Sequence, residues 1–508
     1  MPSFCGEKDV VMNYISTRDN SVRATASKAI TQGISNEGGL FVPESFPQIS
    51  LDKIASLSKK SYIDRACDIL SGYLSDFSSE EIRNCVEGAY ADGKFEDEKI
   101  APLSKLSDSA YILELWHGPT CAFKDMALQL LPYLLTTSAK KNISGKKIVI
   151  LVATSGDTGK AALEGFKNVE GTEIIVFYPQ DGVSTMQKLQ MQTQEGSNVS
   201  VCGIYGNFDD AQNGVKAIFT NKEIAEKLSQ NNMMFSSANS INWGRLVPQI
   251  VYYISAYCDL LNDEEIALGD KINIVVPTGN FGNILAAYYA KKMGLPINKL
   301  ICASNKNNVL TDFINSGTYD RNRLFMPSIS PSMDILISSN LERLLYDLSE
   351  NDDKAVADLM SKLAADGRYT VSEKLKNKLT EQFFGEYCND DETKETIKKV
   401  FEKYSYLVDT HTAVAVNVYE KYIKKTNDDT KTIIASTASP YKFSSSVLSA
   451  IDPSKLSDDE FEMVNILSKL TATEIPNSLA ELKNKKVLHN QSCEKQNMKE
   501  FIFKKLGI

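Results

Sequence analysis

The chain has 508 residues, with Lys+Arg 56 against Asp+Glu 65, a formal net charge of −9 at pH 7 and three histidines. Hydrophobic residues make up 43% and charged residues 24%, a globular balance that excludes a disordered or collagen-like chain and gives length for about two to four domains. The acidic balance argues against a nucleic-acid partner, because a phosphate-backbone footprint draws on clustered Lys and Arg.

Nine cysteines (5, 67, 85, 121, 202, 258, 302, 388 and 493) are scattered, odd in number and never spaced C-x-x-C, so they read as reduced thiols. Residues 1–9 lack the basic and apolar regions of a secretory signal, and the most apolar stretch, 246–261, is interrupted by Gln249, Ser255 and Asp259. A cytoplasmic protein with no membrane contact is the expectation. His117, His411 and His489 are too few for a His-rich metal centre, which leaves lysine, hydroxyl and carboxylate chemistry.

Residues 1–105 alternate short helical patterns with Gly and Pro punctuation, as in 37–43. From residue 111 the texture changes to apolar runs of strand length that end in Gly/Ser/Thr-rich loops, each opening a helix. The first unit is a strand over 111–116, the turn His117-Gly118-Pro119-Thr120, then Phe123-Lys124-Asp125 and a helix from Met126. The second runs from 147–153 through Ser155-Gly156-Asp157-Thr158-Gly159 into a helix around 161–163. The third runs from 272–276 through Gly279-Asn280-Phe281-Gly282-Asn283 into a helix over 284–293. The fourth runs from 432–435 through Ser436-Thr437-Ala438-Ser439-Pro440 into a helix from about Ser444. Repeated strand-loop-helix units predict a mostly parallel α/β sheet. Between the third and fourth, residues 338–405 are charge-rich, with Leu341/Leu344/Leu345/Leu348 and Val356/Leu359/Met360/Leu363 at amphipathic helical spacing. The lysine-rich tail after Leu456 reads as a solvated extension, helical in part over 478–482.

In open parallel sheets ligands sit at the carboxyl ends of strands, where all four loops emerge. The glycines of the third loop let backbone approach closely, and the helix start offers free N–H groups to an anion; the same residues would also make a tight βα turn. A Walker A loop is excluded, because the positions around Gly159-Lys160 that require Gly and Ser/Thr hold Thr154 and Ala161. No G-x-G-x-x-G fingerprint is present in either glycine loop. Ser155, Asp157 and Thr158 combine hydroxyls and a carboxylate at a helix start, suited to a substrate anion and a polar cofactor group, or to helix capping. Lys124 lies in an apolar, constrained junction, where desolvation and a helix N-terminus lower an amine pKa while the adjacent Asp125 raises it; a lysine that only solvates a loop is the alternative.

The runs 113–125, 153–159, 239–245 (Asn239 to Arg245), 277–283 and 436–438 together resemble threonine synthase of the long fungal and bacterial subfamily. The likeness runs in order from near residue 14 to about 450, including 32–34 and 38–43. It implies a pyridoxal 5'-phosphate enzyme of fold type II, tryptophan synthase β-like: two lobes of mostly parallel twisted sheets flanked by helices, with an extra N-terminal domain and a helical insertion. The implied partition is an N-terminal domain over 1–105, a larger cofactor-binding domain over 106–145 and 235–475 with 338–405 as the helical insertion, a smaller domain over 146–234, and a tail over 476–508.

The implied reaction converts O-phospho-L-homoserine and water to L-threonine and phosphate. In it Lys124 would hold the cofactor as a Schiff base and move the Cα and Cβ protons, beside Phe123. Gly279, Asn280, Phe281, Gly282 and Asn283 would hold the cofactor phosphate, Asp157 would face the phenolic oxygen, and Thr437 the pyridine nitrogen. An acid at 157 must share a proton or meet a donor. Arg245 would bind the substrate phosphate through its planar fork, unless it makes a surface salt bridge. Asn242, Lys160, Ser155 and Thr158 are weaker candidates for substrate. Ser439 departs from the family, which usually has His there. His117 either shapes its loop or acts as a general base. A same-fold β-eliminating or β-replacing enzyme, such as serine/threonine dehydratase or cysteine synthase, is the rival. The protein is expected to be a monomer or a homodimer, with no nucleic-acid partner.

Overall fold

The computed structural model describes residues 11–508 apart from Asp92, Ser144, Ser155 and Gly182, so the readings made of residues 1–9, Cys5 and Ser155 lie outside the described residues. Two sheets carry the catalytic-type architecture. The larger has six strands in the order Phe383–Tyr387, Ile297–Ser304, Ile272–Pro277, Thr432–Ser436, Ala110–Glu114 and Leu103–Lys105. All neighbours are parallel except the last pair, Leu103–Lys105 with Ala110–Glu114. Ile272–Pro277, Thr432–Ser436 and Ala110–Glu114 are buried along their whole length, which is why they read as continuous apolar runs rather than alternating ones.

The smaller sheet has five parallel strands in the order Ser492–Glu494, Val199–Tyr205, Thr172–Pro179, Lys147–Ala153 and Met233–Ser236. The α/β fold with helices flanking mostly parallel sheets is therefore present as expected. The 20-residue helix Trp243–Asn262 runs through the interior, buried on nearly every side despite Pro248. Its apolar length serves the core: no helix among the described residues is long and apolar enough to cross a membrane.

Described residues between 14 and 73 pack onto that helix. A three-stranded antiparallel sheet (Tyr14–Ser16, Asp19–Ala24, Phe41–Pro43) brings the Tyr14 ring to 5.1 Å from Trp243, and Tyr73 lies at 5.5 Å. Arg65 pairs with Asp259 at 2.6 Å, with side chains only 5% and 15% exposed.

Two parts differ from the sequence reading. Residues 338–405 contain the expected helices Leu341–Leu348 and Asp353–Asp366, but also the strands Arg368–Thr370 and Phe383–Tyr387, the second being an edge of the larger sheet. The tail is not a solvated extension. Residues Ser492–Glu494 add an edge strand to the smaller sheet, and the helix Met498–Leu506 buries Met498 and Ile502 against Leu151, Ile175 and Phe177. Upstream, Leu479 and Leu482 share a core cluster with Met186 of the helix Thr185–Gln192, so the tail spans from one sheet's surroundings to the other's.

Candidate active site

Three adjacent strands of the larger sheet, Ala110–Glu114, Thr432–Ser436 and Ile272–Pro277, deliver the Lys124 loop, Thr437 and the 279–283 loop from their carboxyl ends. The backbone stitches the first two together: Phe123 N–H donates to Thr437 O at 2.9 Å, and Ala122 bridges Ala438. The smaller sheet contributes Asp157, at the start of the helix Asp157–Phe166 that follows Lys147–Ala153.

Lys124 has a side chain 12% exposed, its Nζ 4.9 Å from the centre of the Phe123 ring and 3.4 Å from Ser332 Oγ. Asp157 Oδ2 lies 3.8 Å from that amine, while Asp157 Oδ1 pairs at 2.7 Å with Lys442, whose side chain is 1% exposed. Lys442 Nζ also donates to Thr120 O at 2.8 Å. Burial pushes the Lys124 amine below its ordinary range; Asp157 opposes this, and Lys442 and Arg245 add to it. Burial pushes the Asp157 carboxyl up, but Lys442 and then Lys124 outweigh it and hold the group below the usual carboxylate range. The donor that a carboxylate at this position requires is thus Lys442. Asp125, fully buried, accepts from Thr120 N at 2.8 Å and Thr120 Oγ1 at 2.7 Å, and burial pushes it up to about 6.

The 279–283 loop is built for close approach. A Cβ on Gly279 would meet Ser332 O at 2.9 Å, and Phe281 sits in the left-handed region at φ 61°. The helix Gly282–Lys292 then begins with no side chain capping it. Asn280 O is held by Asn340 through its N at 3.1 Å and its Nδ2 at 3.0 Å. Asn283 Oδ1 accepts from Tyr252 at 2.8 Å and from Tyr253, which leaves its buried Nδ2 without an acceptor. An uncapped helix start beside an orphaned amide donor is the pattern a phosphate group fits, so the residues present suit the cofactor's anionic end.

Arg245 is 4% exposed, and no carboxylate pairs with it among the described residues. Its Nη1 donates to Ala238 O at 2.5 Å, its Nε is buried without a partner, and burial pushes the guanidinium down to about 10. The alternative of a surface salt bridge is thereby excluded.

Other residues singled out in the sequence go elsewhere. Asn242 caps the helix Trp243–Asn262, with its Nδ2 donating to Ile30 O and Ser237 O at 3.0 Å each and its Oδ1 accepting from Gly244 N at 2.9 Å, so no group is left for a substrate. Lys160 turns to Glu164 at 3.0 Å and to Gln194. Thr158 is half-buried in the first turn of its helix. The loop before it is organised by Thr154, whose Oγ1 accepts from Gly156 N and Gly159 N at 2.9 Å each. Ser439 caps the short 3-10 turn Pro440–Phe443 that carries Lys442. His117 stacks on Trp116 at 4.2 Å and its Nε2 bonds Glu114 at 2.7 Å, contacts that shape its loop.

Three contributors escaped the sequence reading. Lys442 is the sole charged residue between Thr432 and Ile451, a lone cation in an apolar stretch that could have singled it out. Ser332 comes from the segment after the third unit and contacts Lys124. Buried His411 accepts from Ser332 N at its Nε2 (3.2 Å) and bonds Asp409 through Nδ1 (2.7 Å), so it fixes the turn that carries Ser332.

Residues 13–90 match the family model for the threonine synthase N terminus, 98–437 the model for pyridoxal-phosphate dependent enzymes, and 412–502 the model for the threonine synthase C-terminal region. The chain is 39% identical over 456 residues to threonine synthase-like 1 of Homo sapiens, covering 88% of this chain and 60% of that protein. It thus spans about 60% of the length of the threonine synthase-like 1 relatives. Against threonine synthase of Pseudomonas aeruginosa the identity is 38% over 437 residues, covering 86% of this chain and 90% of the relative. The crystal structure of a PLP-bound threonine synthase from Brucella melitensis superposes with TM-score 0.87 at 36% identity, over 97% of this chain and 99% of that one. With matched regions over nearly its whole described length, the chain belongs to the threonine synthase family of pyridoxal phosphate-dependent, fold type II enzymes.

Proposed function

We propose that the protein converts O-phospho-L-homoserine and water to L-threonine and phosphate. The observation that carries this reading is Arg245: a buried guanidinium with a free Nε and no carboxylate partner among the described residues, whose charge is felt at Lys124. A buried cation without a counter-ion is costly, and an anionic substrate group supplies what is missing. Enzymes of this fold that act on serine or cysteine precursors have no need of such a residue.

Pyridoxal phosphate, when bound, supplies the electron sink that lets protons leave Cα and Cβ. Lys124 is the amine that would link the cofactor and, once freed, would take the proton from Cα and move protons at Cβ; burial lowers its affinity for protons, which favours the free amine over the ammonium. The 279–283 loop and the Asn283 amide bind the cofactor's phosphate. Asp157, ionised and held by Lys442, would face the phenolic side, and Thr437 would meet the ring nitrogen with a neutral hydroxyl that does not enforce its protonation. Arg245 binds the substrate phosphate, so that the leaving group departs from Cγ already paired with a cation. Among the described residues, Thr158 at the helix start is the remaining candidate donor for the substrate's carboxylate.

The test is product analysis of purified protein with phosphohomoserine and, separately, with serine. Threonine and inorganic phosphate in equal amounts from phosphohomoserine are expected. Turnover of serine alone, with no phosphate released from phosphohomoserine, would replace this reading with a dehydratase or cysteine-synthase type of reaction.

A further inference from the structure

Lys442, Asp157 and Lys124 form a buried chain in which one carboxylate is divided between two amines. Oδ1 is taken by Lys442 at 2.7 Å, and Oδ2 stands 3.8 Å from Lys124 Nζ, beyond hydrogen-bond distance. Lys442 is held in place by Thr120 O at 2.8 Å, and Thr120 in turn donates twice to Asp125, so the arrangement is anchored to the loop that carries Lys124. Were Asp157 free of Lys442, the buried carboxylate would keep only a long bond from Gln187 Nε2 at 3.4 Å and one nearby cation, and it would close onto Lys124 and hold that amine as an ammonium. An ammonium is no nucleophile toward an aldehyde and no base toward a C–H bond.

We propose that Lys442 is a positioning residue that acts on Lys124 through Asp157: by occupying Oδ1 it keeps the carboxylate ionised and oriented yet prevents it from clamping the reacting amine. The inference rests on the reading of Lys124 as the cofactor lysine, but not on the identity of the substrate.

The charged and titratable groups around Lys124 are few. The helix Asp157–Phe166 brings Asp157, the turn Pro440–Phe443 brings Lys442, the helix Trp243–Asn262 brings Arg245, and Asp125 follows on the lysine's own loop. From the helix Thr410–Thr426, His411 acts on Asp157 and reaches Lys124 through Ser332, which bonds both. Of these, Lys442 alone forms an ion pair with the far oxygen of Asp157. Replacing it by a neutral side chain removes a nearby repelling cation and frees Asp157 toward Lys124, two effects of one sign, both of which favour the ammonium.

The experiment follows capture of added pyridoxal phosphate by the apoprotein, as growth of the band near ~420 nm that a lysine-linked cofactor gives, from pH 6 to 10, with borohydride trapping to locate the modified lysine. Lys442→Gln should move the rise of capture rate to higher pH by about one unit, an approximately tenfold slower capture at pH 7.5, and Lys442→Arg should restore the wild-type profile. In an Asp157→Asn background, the same Lys442→Gln change should move the profile less, because only the loss of the repelling cation remains and the intermediary is gone. That double variant carries no unpaired buried carboxylate, so it keeps the test open where Lys442→Gln alone does not fold. An unmoved profile in Lys442→Gln, or an equal shift with and without the Asp157→Asn substitution, overturns the inference. Capture that persists in Lys124→Ala overturns the assignment of Lys124 itself, a separate result.

Discussion

Arg245 gives the sharpest test, because the same side chain is predicted to be bad for stability and necessary for turnover. Of its donors, Nη1 is committed to Ala238 O at 2.5 Å, and the buried Nε has no partner, so the remaining edge of the fork is available to a phosphate. Two charge-assisted hydrogen bonds at about 1.5–3 kcal/mol each amount to about 3–6 kcal/mol, which corresponds to a loss of about 10²–10⁴ in kcat/KM for Arg245→Met. The thioether side chain is of similar length and removes an unpaired buried charge, so the variant should unfold at equal or higher temperature than wild type. Inorganic phosphate separates binding from packing. At 100 times its Kd it should stabilise wild type by about 2.7 kcal/mol and leave Arg245→Met unmoved. The measurements are steady-state kinetics with phosphohomoserine and thermal melts with and without phosphate. Wild-type kcat/KM in Arg245→Met, or an unaltered phosphate-dependent melt, would refute the reasoning, since it would mean that the buried guanidinium meets no anion.

Other perturbations probe the rest of the site and the fold. Gly279→Ala places a Cβ 2.9 Å from Ser332 O, so the loop must retreat; cofactor affinity, read by fluorescence titration of the apoprotein, should fall at least tenfold while the melt in the absence of cofactor changes little. Asp125, pushed up to about 6 in the folded chain, binds protons that the unfolded chain has released above about pH 4, so its contribution falls as pH rises from about 4 to 6 and stays low above that. The sum is about 2–3 kcal/mol, and urea melts of Asp125→Asn across this window should lack that slope; an identical slope would remove Asp125 as its source. Ile502 is fully buried in the tail helix, so Ile502→Ala should cost about 2–5 kcal/mol, seen as a lower denaturation midpoint, whereas a solvated tail would show no change.

How much of this was legible in the sequence follows from the physics of each element. The four strand-loop-helix units announce themselves because strands buried on both faces are unbroken apolar runs, and their loops carry the Gly, Ser and Asn that tight turns and helix starts need. The strand Phe383–Tyr387 is hidden: it follows the amphipathic helix Glu373–Gln382 with no Gly or Pro between, so the helical period runs straight into it. The edge strand Ser492–Glu494 is three residues long, below what any periodicity resolves, and its neighbouring lysines suggest solvent although Met498 and Ile502 between them are core.

In the site the limit is different in kind. Residue type and motif order single out Lys124, Asp157, the 279–283 loop and Arg245 as candidates, but a motif does not say which atoms are already spent. Asn242 and Lys160 have side chains suited to an anion, and both are consumed by local bonds, one as a helix cap and one on Glu164. Lys442 is hidden for the opposite reason: it stands out as a lone cation in an apolar stretch, but its partner Asp157 lies in the other sheet's first helix, so nothing local marks the pair. The charge of the pocket follows from that partner. The chain carries −9 overall, yet Lys124, Lys442 and Arg245 meet there against Asp157 and Asp125, and of the three cations Arg245 is the one no carboxylate answers. An acidic chain can therefore carry a locally cationic pocket, because the excess is local, desolvated and presented by side chains that the rest of the fold has already fixed.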